Sequence, residues 1–463
     1  MKRWFFPETG FFDKEIDMTA FARSSVLRAS RLCLYFLLLV WPFACHGDAD
    51  TIFRNNSGTV VVVASFDERG NPIGQGSGFI VSSDGKVVTN YHVVTMASRI
   101  KVKHGNAVHD VEGLTHVDSD NDLAILKLRK GKYPAAKIGN SDVLRVGEKV
   151  YAMGSPQGLE NTISEGIVSG IRKIDKNISI IQMTAAISRG SSGGPLFNER
   201  GEVVGIATFL IAETQNLNFA LPVNLITRGL AKNDLVEPGE ACRVDFNQTA
   251  ACFFYQGVAY GILGRHDRAV DSFKRSLTVD SGRVETLVNL GVSYANMEKL
   301  GEAVDMFNRA LALEPENVDV LARLGRVYAK QGNYAQSTKV LEKSLKINPG
   351  HVDARFFLAL NYASRGKKAE AVKALQEVIR LEPLYTDAYG YLGSVYTDMG
   401  RYGDAISAFK MGISQRPGDP GMHLGLGKAY ASAGNKASAL QEYQILQTMD
   451  KEMANRLFKI IYK

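Results

Sequence analysis

Ala185-Ala186-Ile187-Ser188-Arg189-Gly190-Ser191-Ser192-Gly193-Gly194-Pro195-Leu196 is the stretch on which the reading of this chain turns. A Gly-Ser-Ser-Gly-Gly-Pro run between two apolar segments can close a sharp turn that aims one hydroxyl outward. It can also point successive N–H groups at a developing oxyanion. Taken alone, the run fits a linker or an anion nest as well.

Upstream lie two segments that change its weight. In Val88-Thr89-Asn90-Tyr91-His92-Val93-Val94 a histidine ends an apolar strand, where a lone imidazole is ordinarily a satisfied core residue. In Asp118-Ser119-Asp120-Asn121-Asp122-Leu123-Ala124-Ile125-Leu126-Lys127 an acid stands directly before a strand that reads as buried. An aspartate there needs a strong hydrogen-bond partner or costs about several kcal/mol. An imidazole N–H is such a partner. His92 to Asp122 is 30 residues and Asp122 to Ser192 is 70, which gives the order His, Asp, Ser of chymotrypsin-like proteases. Gly190-x-Ser192-x-Gly194 also satisfies the nucleophile elbow of α/β-hydrolases, but that fold needs its histidine downstream. The only histidines after Ser192 are His266, His351 and His423, all in the C-terminal repeats.

Around these motifs, residues 58–230 read as short β-branched or apolar strands. They are 59–66, 78–81, 87–90, 100–103, 123–128, 149–153, 178–183, 203–209 and 218–223, with Gly, Asn, Asp and Ser between them. So many short strands suggest a pair of closed β-barrels. From about residue 250 the period changes. Tyr260, Tyr294, Tyr328, Tyr362, Tyr396 and Tyr430 recur every 34 residues. Gly257, Gly291, Gly325, Gly393 and Gly427 precede them by three, with Ala359 in the remaining place. Ala269, Ala303, Ala371, Ala405 and Ala439 follow by nine, with Ser337 filling the gap. Pro315, Pro349, Pro383 and Pro417 close the units. The pattern resembles the tetratricopeptide repeat, with six copies over 250–451, a capping helix over 452–463, and 231–249 as linker. Each unit is a helical hairpin whose small residues let two helices approach, while the tyrosine packs the seam; any ligand would sit in the groove between these positions.

Residues 58–230 resemble the protease domain of the HtrA (Deg) family of exported serine proteases. The resemblance rests on Thr89-Asn90-x-His92-Val93, Asp122-Leu123-Ala124-Ile125 and Gly190-x-Ser192-Gly193-Gly194-Pro195, and covers just over a third of the chain. It implies a trypsin-like double six-stranded all-β barrel, here followed by an all-α tetratricopeptide superhelix. It further implies a serine endopeptidase acting in protein quality control or regulated proteolysis, with protein or peptide substrates. Ser192 is then the nucleophile, His92 the general base and Asp122 its orienting acid, with the Gly190 and Ser192 N–H groups, and Ser191 between them, forming the oxyanion hole. The residue six before the nucleophile floors the primary pocket; that is Ala186, which predicts cleavage after small or medium apolar residues. Two positions depart from the family pattern: Thr184 replaces its Asp and Arg189 its Pro. PDZ domains commonly follow this protease domain, and repeats stand in their place here, so C-terminus recognition does not carry over. The rival reading is a catalytically silent scaffold that works through the repeat groove, where a protein partner is expected. Another is that the repeats bias the loop around Arg189.

Composition agrees with a multidomain globular chain. At 463 residues it is long enough for about three domains, and 45% hydrophobic with 22% charged residues excludes wholesale disorder. The net charge is +7, of which residues 1–47 carry six basic against four acidic groups; the remainder is too diffuse to imply nucleic acid. Leu32 to Cys45 runs fourteen residues without charge, short of the roughly 20 that span a bilayer. Residues 1–47 are therefore expected to be a signal peptide or leader, cleanest from a start at Met18, sending the chain to the periplasm or another exported compartment. Left uncleaved, it would anchor the chain to a membrane. Cys242 and Cys252 either pair in that oxidising compartment or remain buried thiols. No cofactor fingerprint, phosphate loop or metal-spaced His/Cys set is present.

Overall fold

The computed structural model describes residues 48–155, 162–173, 179–188, 190–208 and 218–463. The leader and Arg189 lie outside these residues. Strands β1 (Val60–Phe66), β2 (Pro72–Ile80), β3 (Lys86–Thr89), β4 (Arg99–His104), β5 (Ala107–Asp118) and β6 (Leu123–Leu128) close into an antiparallel barrel. Their order is β1-β2-β3-β6-β5-β4. A second set comprises β7 (Lys137–Ile138), β8 (Lys149–Gly154), β9 (Thr162–Lys173), β10 (Ser179–Met183), β11 (Pro195–Asn198), β12 (Glu202–Thr208) and β13 (Asn218–Pro222). It runs β11-β8-β9-β10-β13-β12, closed by β11 pairing with β12, and β7 adds in parallel to β12.

The strands form where β-branched residues can bury one face. In β1, Val60, Val61 and Val63 are buried, with Val60 opposite Phe79 of β2. Phe79, Val88, Leu123 and Ile125 of the first barrel share one buried cluster with Tyr151, Met153, Phe197 and Ile206 of the second. That shared cluster fixes how the barrels meet and hence the cleft between them. Four strands escape the sequence reading, β5, β7, β9 and β11. In β5 the pairing register shifts near Val111 and again near Leu114, so the alternation that reveals a strand is broken twice.

The C-terminal half is six helical hairpins and a final helix, from Ala250–Ile262 with His266–Val279 through to Pro420–Ser432 with Lys436–Met449, then Lys451–Ile461. The repeating glycines mark helix contacts. A Cβ at Gly257 would lie 2.5 Å from the Phe273 ring, and one at Gly325 would lie 2.5 Å from Leu341. Ala269, Ala303, Ala371, Ala405 and Ala439 are fully buried, as is Ser337. Ser337 is a polar stand-in for alanine with its partners supplied: Oγ donates to the Gly325 carbonyl at 2.6 Å and accepts from Asn361 Nδ2 at 2.7 Å.

The first barrel and the repeats share a core. Tyr91, Val94, Ile100 and Leu114 belong to the same buried cluster as Cys242, Phe246, Phe254 and Phe273. Cys242 and Cys252 are both buried free thiols, which settles the alternative left open by spacing alone. Among the described residues, no helix is long and apolar enough to cross a membrane.

Candidate active site

Strand β3 stops at Thr89, and His92 stands on the single helical turn Tyr91–Val94 that follows, one step beyond the strand end expected from sequence. Asn90 is its N-cap residue, in extended conformation. Asp122 enters from the tight turn before β6, with φ at +53°, a left-handed conformation uncommon for an aspartate. The turn is tied by Asn121, whose backbone N–H and Nδ2 both donate to the Asp118 carboxylate, at 3.1 and 2.8 Å. Tyr91 N–H and Asn90 Nδ2 both donate to the Asp122 carbonyl, at 3.1 and 3.0 Å. The two segments are thereby locked together.

The Asp122 side chain is 4% exposed and that of His92 27%. Asp122 Oδ1 accepts from the His92 backbone N–H at 2.8 Å, and Oδ2 lies 2.7 Å from His92 Nδ1. Thr208 Oγ1 donates to the same Oδ2 at 3.4 Å. An ionised carboxylate only accepts, so the imidazole proton is on Nδ1 and the Nε2 lone pair is free to take a proton. Burial by itself lowers the imidazole pKa, but the Asp122 charge and hydrogen bond outweigh it and the net shift is upward.

The Ser192 loop is pinned to the first barrel through Ser77. Ser77 N–H donates to the Ser192 carbonyl at 2.8 Å, and Ser77 Oγ donates to the Gly190 carbonyl at 2.6 Å. Thr89 Oγ1, three residues from His92, donates to the Ser77 carbonyl at 2.7 Å. Gly193, at φ +86°, fits into this corner: a Cβ there would come 2.2 Å from the Ser77 carbonyl oxygen, 2.4 Å from Thr89 Oγ1 and 3.0 Å from Asn90 N. The Ser192 loop and the His92 turn are therefore in direct apposition. Strand β12 serves both ends of the cleft, accepting the Gly193 N–H at Ala207 at 2.8 Å and reaching Asp122 through Thr208. Sequence reading missed Ser77 and Thr208, since each acts through partners more than 80 residues away.

Peptide orientations follow from these bonds. The Ser191 carbonyl accepts from Gly194 N–H at 3.0 Å, which turns the opposite end of that planar unit, the Ser192 N–H, outward. Ser191 N–H donates to the Ser188 carbonyl at 2.9 Å, so Ser191 acts as a spacer. The Gly190 N–H belongs to the peptide it shares with Arg189, which lies outside the described residues.

Beside Ser191 opens a cavity of about 190 Å³ lined by Met153, Thr162, Ser164, Ala186, Ile187 and neighbours, with no charged side chain among the described lining residues. Larger cavities lie elsewhere, one of about 570 Å³ at Asp84, Lys127 and Tyr133 and one of about 510 Å³ among the repeats. Ser164 Oγ donates to the Ala186 carbonyl at 2.6 Å. Thr184, where an Asp was expected from family pattern, joins β9 to β10 by accepting the Ile167 N–H at 2.9 Å. His104, His109 and His116, the remaining histidines of the first barrel, are half-buried. His104 and His109 pack with Tyr133, and His116 lies beside Lys232.

Comparison with known proteins adds kinship to this geometry. Residues 76–206 match the trypsin-like peptidase domain. Residues 297–343, 356–420 and 392–454 match tetratricopeptide repeats. The HhoB protein of Synechocystis sp. is 43% identical over 174 residues, covering 34% of this chain and 41% of that protein. Serine protease HTRA1 of Xenopus laevis is 41% identical over 180 residues, covering 37% of this chain and 39% of that protein. A DegP-like protein of Pseudomonas savastanoi pv. phaseolicola, named for a periplasmic serine endoprotease, is 42% identical over 156 residues, 32% of this chain and 33% of that one. The chain spans about two fifths or less of the length of these curated relatives. It carries a trypsin-like peptidase domain homologous to the HtrA serine proteases, followed by tetratricopeptide repeats.

Proposed function

We propose that the chain is an exported serine endopeptidase, serving protein quality control or regulated proteolysis, whose repeats recruit a protein substrate or partner. The observation that carries this reading is the Asp122–His92 pair, with its free Nε2, set against the loop that bears Ser192. In this mechanism Ser192 Oγ attacks the scissile carbonyl while His92 Nε2 removes its proton. His92 then delivers that proton to the leaving amine, and Asp122 stabilises the imidazolium. The outward Ser192 N–H, with that of Gly190, receives the oxyanion. Losing one such donor costs about 3 kcal/mol of barrier. The cavity at Ala186, uncharged among its described lining residues, favours an apolar side chain before the cut bond.

Recruitment by the repeats is supported by their 510 Å³ cavity, where Arg323 and Arg326 stand beside Phe356, Phe357, Tyr385 and Tyr391. Export is supported by the periplasmic description of the Pseudomonas relative. The test is hydrolysis of an unfolded protein such as casein, with fluorophosphonate labelling, by wild type and Ser192→Ala. Loss of both in the variant is expected. Equal hydrolysis by the two proteins, or no labelling of wild type, would leave the silent-scaffold reading in its place.

A further inference from the structure

The segment that joins the protease domain to the repeats does more than connect them. The Cys242 carbonyl accepts from Met96 N–H at 2.6 Å. The Val244 carbonyl accepts from Tyr91 Oη at 3.0 Å and from Thr95 Oγ1 at 2.6 Å, and Phe246 N–H donates back to Thr95 Oγ1 at 2.9 Å. All of these partners belong to the short stretch 91–96 that carries His92. Phe246, only 7% exposed, lies 6.0 Å centroid to centroid from the His92 ring and 6.3 Å edge-on from Tyr91.

The first repeat supports the other half of the pair. Arg283, whose side chain is 10% exposed, binds Asp120 Oδ1 at 3.1 Å and sits 4.9 Å over the Phe254 ring. Tyr255 Oη reaches Asn121 Oδ1 at 3.5 Å. Asp120 and Asn121 immediately precede the left-handed Asp122, a backbone conformation that persists only where its surroundings hold it.

Resting on the proposed peptidase reading, we infer that Phe246 and Arg283 are positioning residues of the active site: Phe246 backs the His92 ring and Arg283 holds the turn that presents Asp122. The described linker and first repeat act on the acid–base side of the cleft. A change in the repeats therefore reaches catalysis through the His92–Asp122 geometry. Misplacing a catalytic group by about 1 Å costs on the order of a hundredfold in rate.

The test uses the full chain and a short peptide substrate too small to engage the repeats. Phe246→Ala should lower kcat by about tenfold or more with KM unchanged, and Phe246→Leu should recover most of the loss. Arg283→Met, which keeps the apolar stem on Phe254, should lower kcat by severalfold. In an Asp122→Asn background the effect of Phe246→Ala should shrink to less than about twofold, since the geometry it maintains is already uncoupled. Full additivity in that background, or wild-type kcat in a folded Phe246→Ala protein, overturns the inference. If Phe246→Ala does not fold, Arg283→Met carries the same comparison: wild-type kcat in that variant, or full additivity with Asp122→Asn, overturns the inference. An unlabelled, inactive wild type would instead overturn the peptidase reading itself.

Discussion

His92 and Asp122 are joined twice, through the backbone N–H of His92 to Oδ1 and through its ring Nδ1 to Oδ2, so the carboxylate fixes both where the imidazole sits and how it turns. On the proposed peptidase reading, a base held this way is oriented before substrate arrives, and its protonation responds to the partner charge.

The pH dependence follows from that charge. In the proposed mechanism His92 acts as a base only when neutral, and burial lowers its pKa less than Asp122 raises it. The acid limb of kcat/KM should thus lie above the roughly 6.5 of a free imidazole. Asp122→Asn should move the limb down and lower kcat by about 10⁴. A raised folded-state pKa also means that the protonated pair adds stability below about pH 6.5, which is lost as pH rises through the folded value. Urea midpoints of wild type and Asp122→Asn should therefore differ more at about pH 5 than at about pH 9. A limb that stays put in the variant contradicts this account.

Gly193 has no room for a side chain. Its φ of +86° costs an L-residue about 1–2 kcal/mol, and a Cβ would press on the Ser77 carbonyl at 2.2 Å. Gly193→Ala should lower the urea midpoint and abolish fluorophosphonate labelling. A labelled variant of wild-type stability would show that the corner is looser than described.

On the proposed peptidase reading, cleavage preference is set at the cavity beside Ala186. Peptides with Val or Ala before the cut bond should outpace those with Arg or Lys, and Ala186→Asp should shift preference toward the basic residues. Arg peptides cut fastest by wild type would refute the assignment of this cavity.

In the repeats, Ser337→Ala restores the residue found at the equivalent place in five units, yet should destabilise. The change leaves Asn361 Nδ2, buried and bonded to Ser337 Oγ at 2.7 Å, without that acceptor. A cost of about 1–3 kcal/mol is expected in chemical denaturation. A double change, Ser337→Ala with Asn361→Leu, should cost less than the sum of the two single changes.

Burial pushes the Cys242 thiol up to about 12 and the Cys252 thiol up to about 11. Neither should react with a thiol reagent at about pH 8 in the native protein, and both should react once it is unfolded. Prompt native reaction would show that the linker opens.

Local pattern carried much of this protein. The 34-residue step of Tyr260 to Tyr430 named the helical hairpins, because a stacked repeat buries the same positions each time. The order His92, Asp122, Ser192 and the glycines around the serine named the protease domain, because that chemistry tolerates few residue types at each place. Strands β5 and β9 were not legible as such. Each runs twelve residues with much of one edge exposed, and bulges interrupt the alternation of β5.

The sequence by itself therefore determined the two architectures and the three side chains between which chemistry is expected. Tertiary structure alone decided what holds them: Ser77 stitching the Ser192 loop, Thr208 reaching Asp122 from β12, and Phe246 backing His92 from beyond the barrel. Periodicity is a property of neighbours along the chain, whereas these contacts join residues from 86 to 154 positions apart and exist only once the barrels close and the first repeat docks.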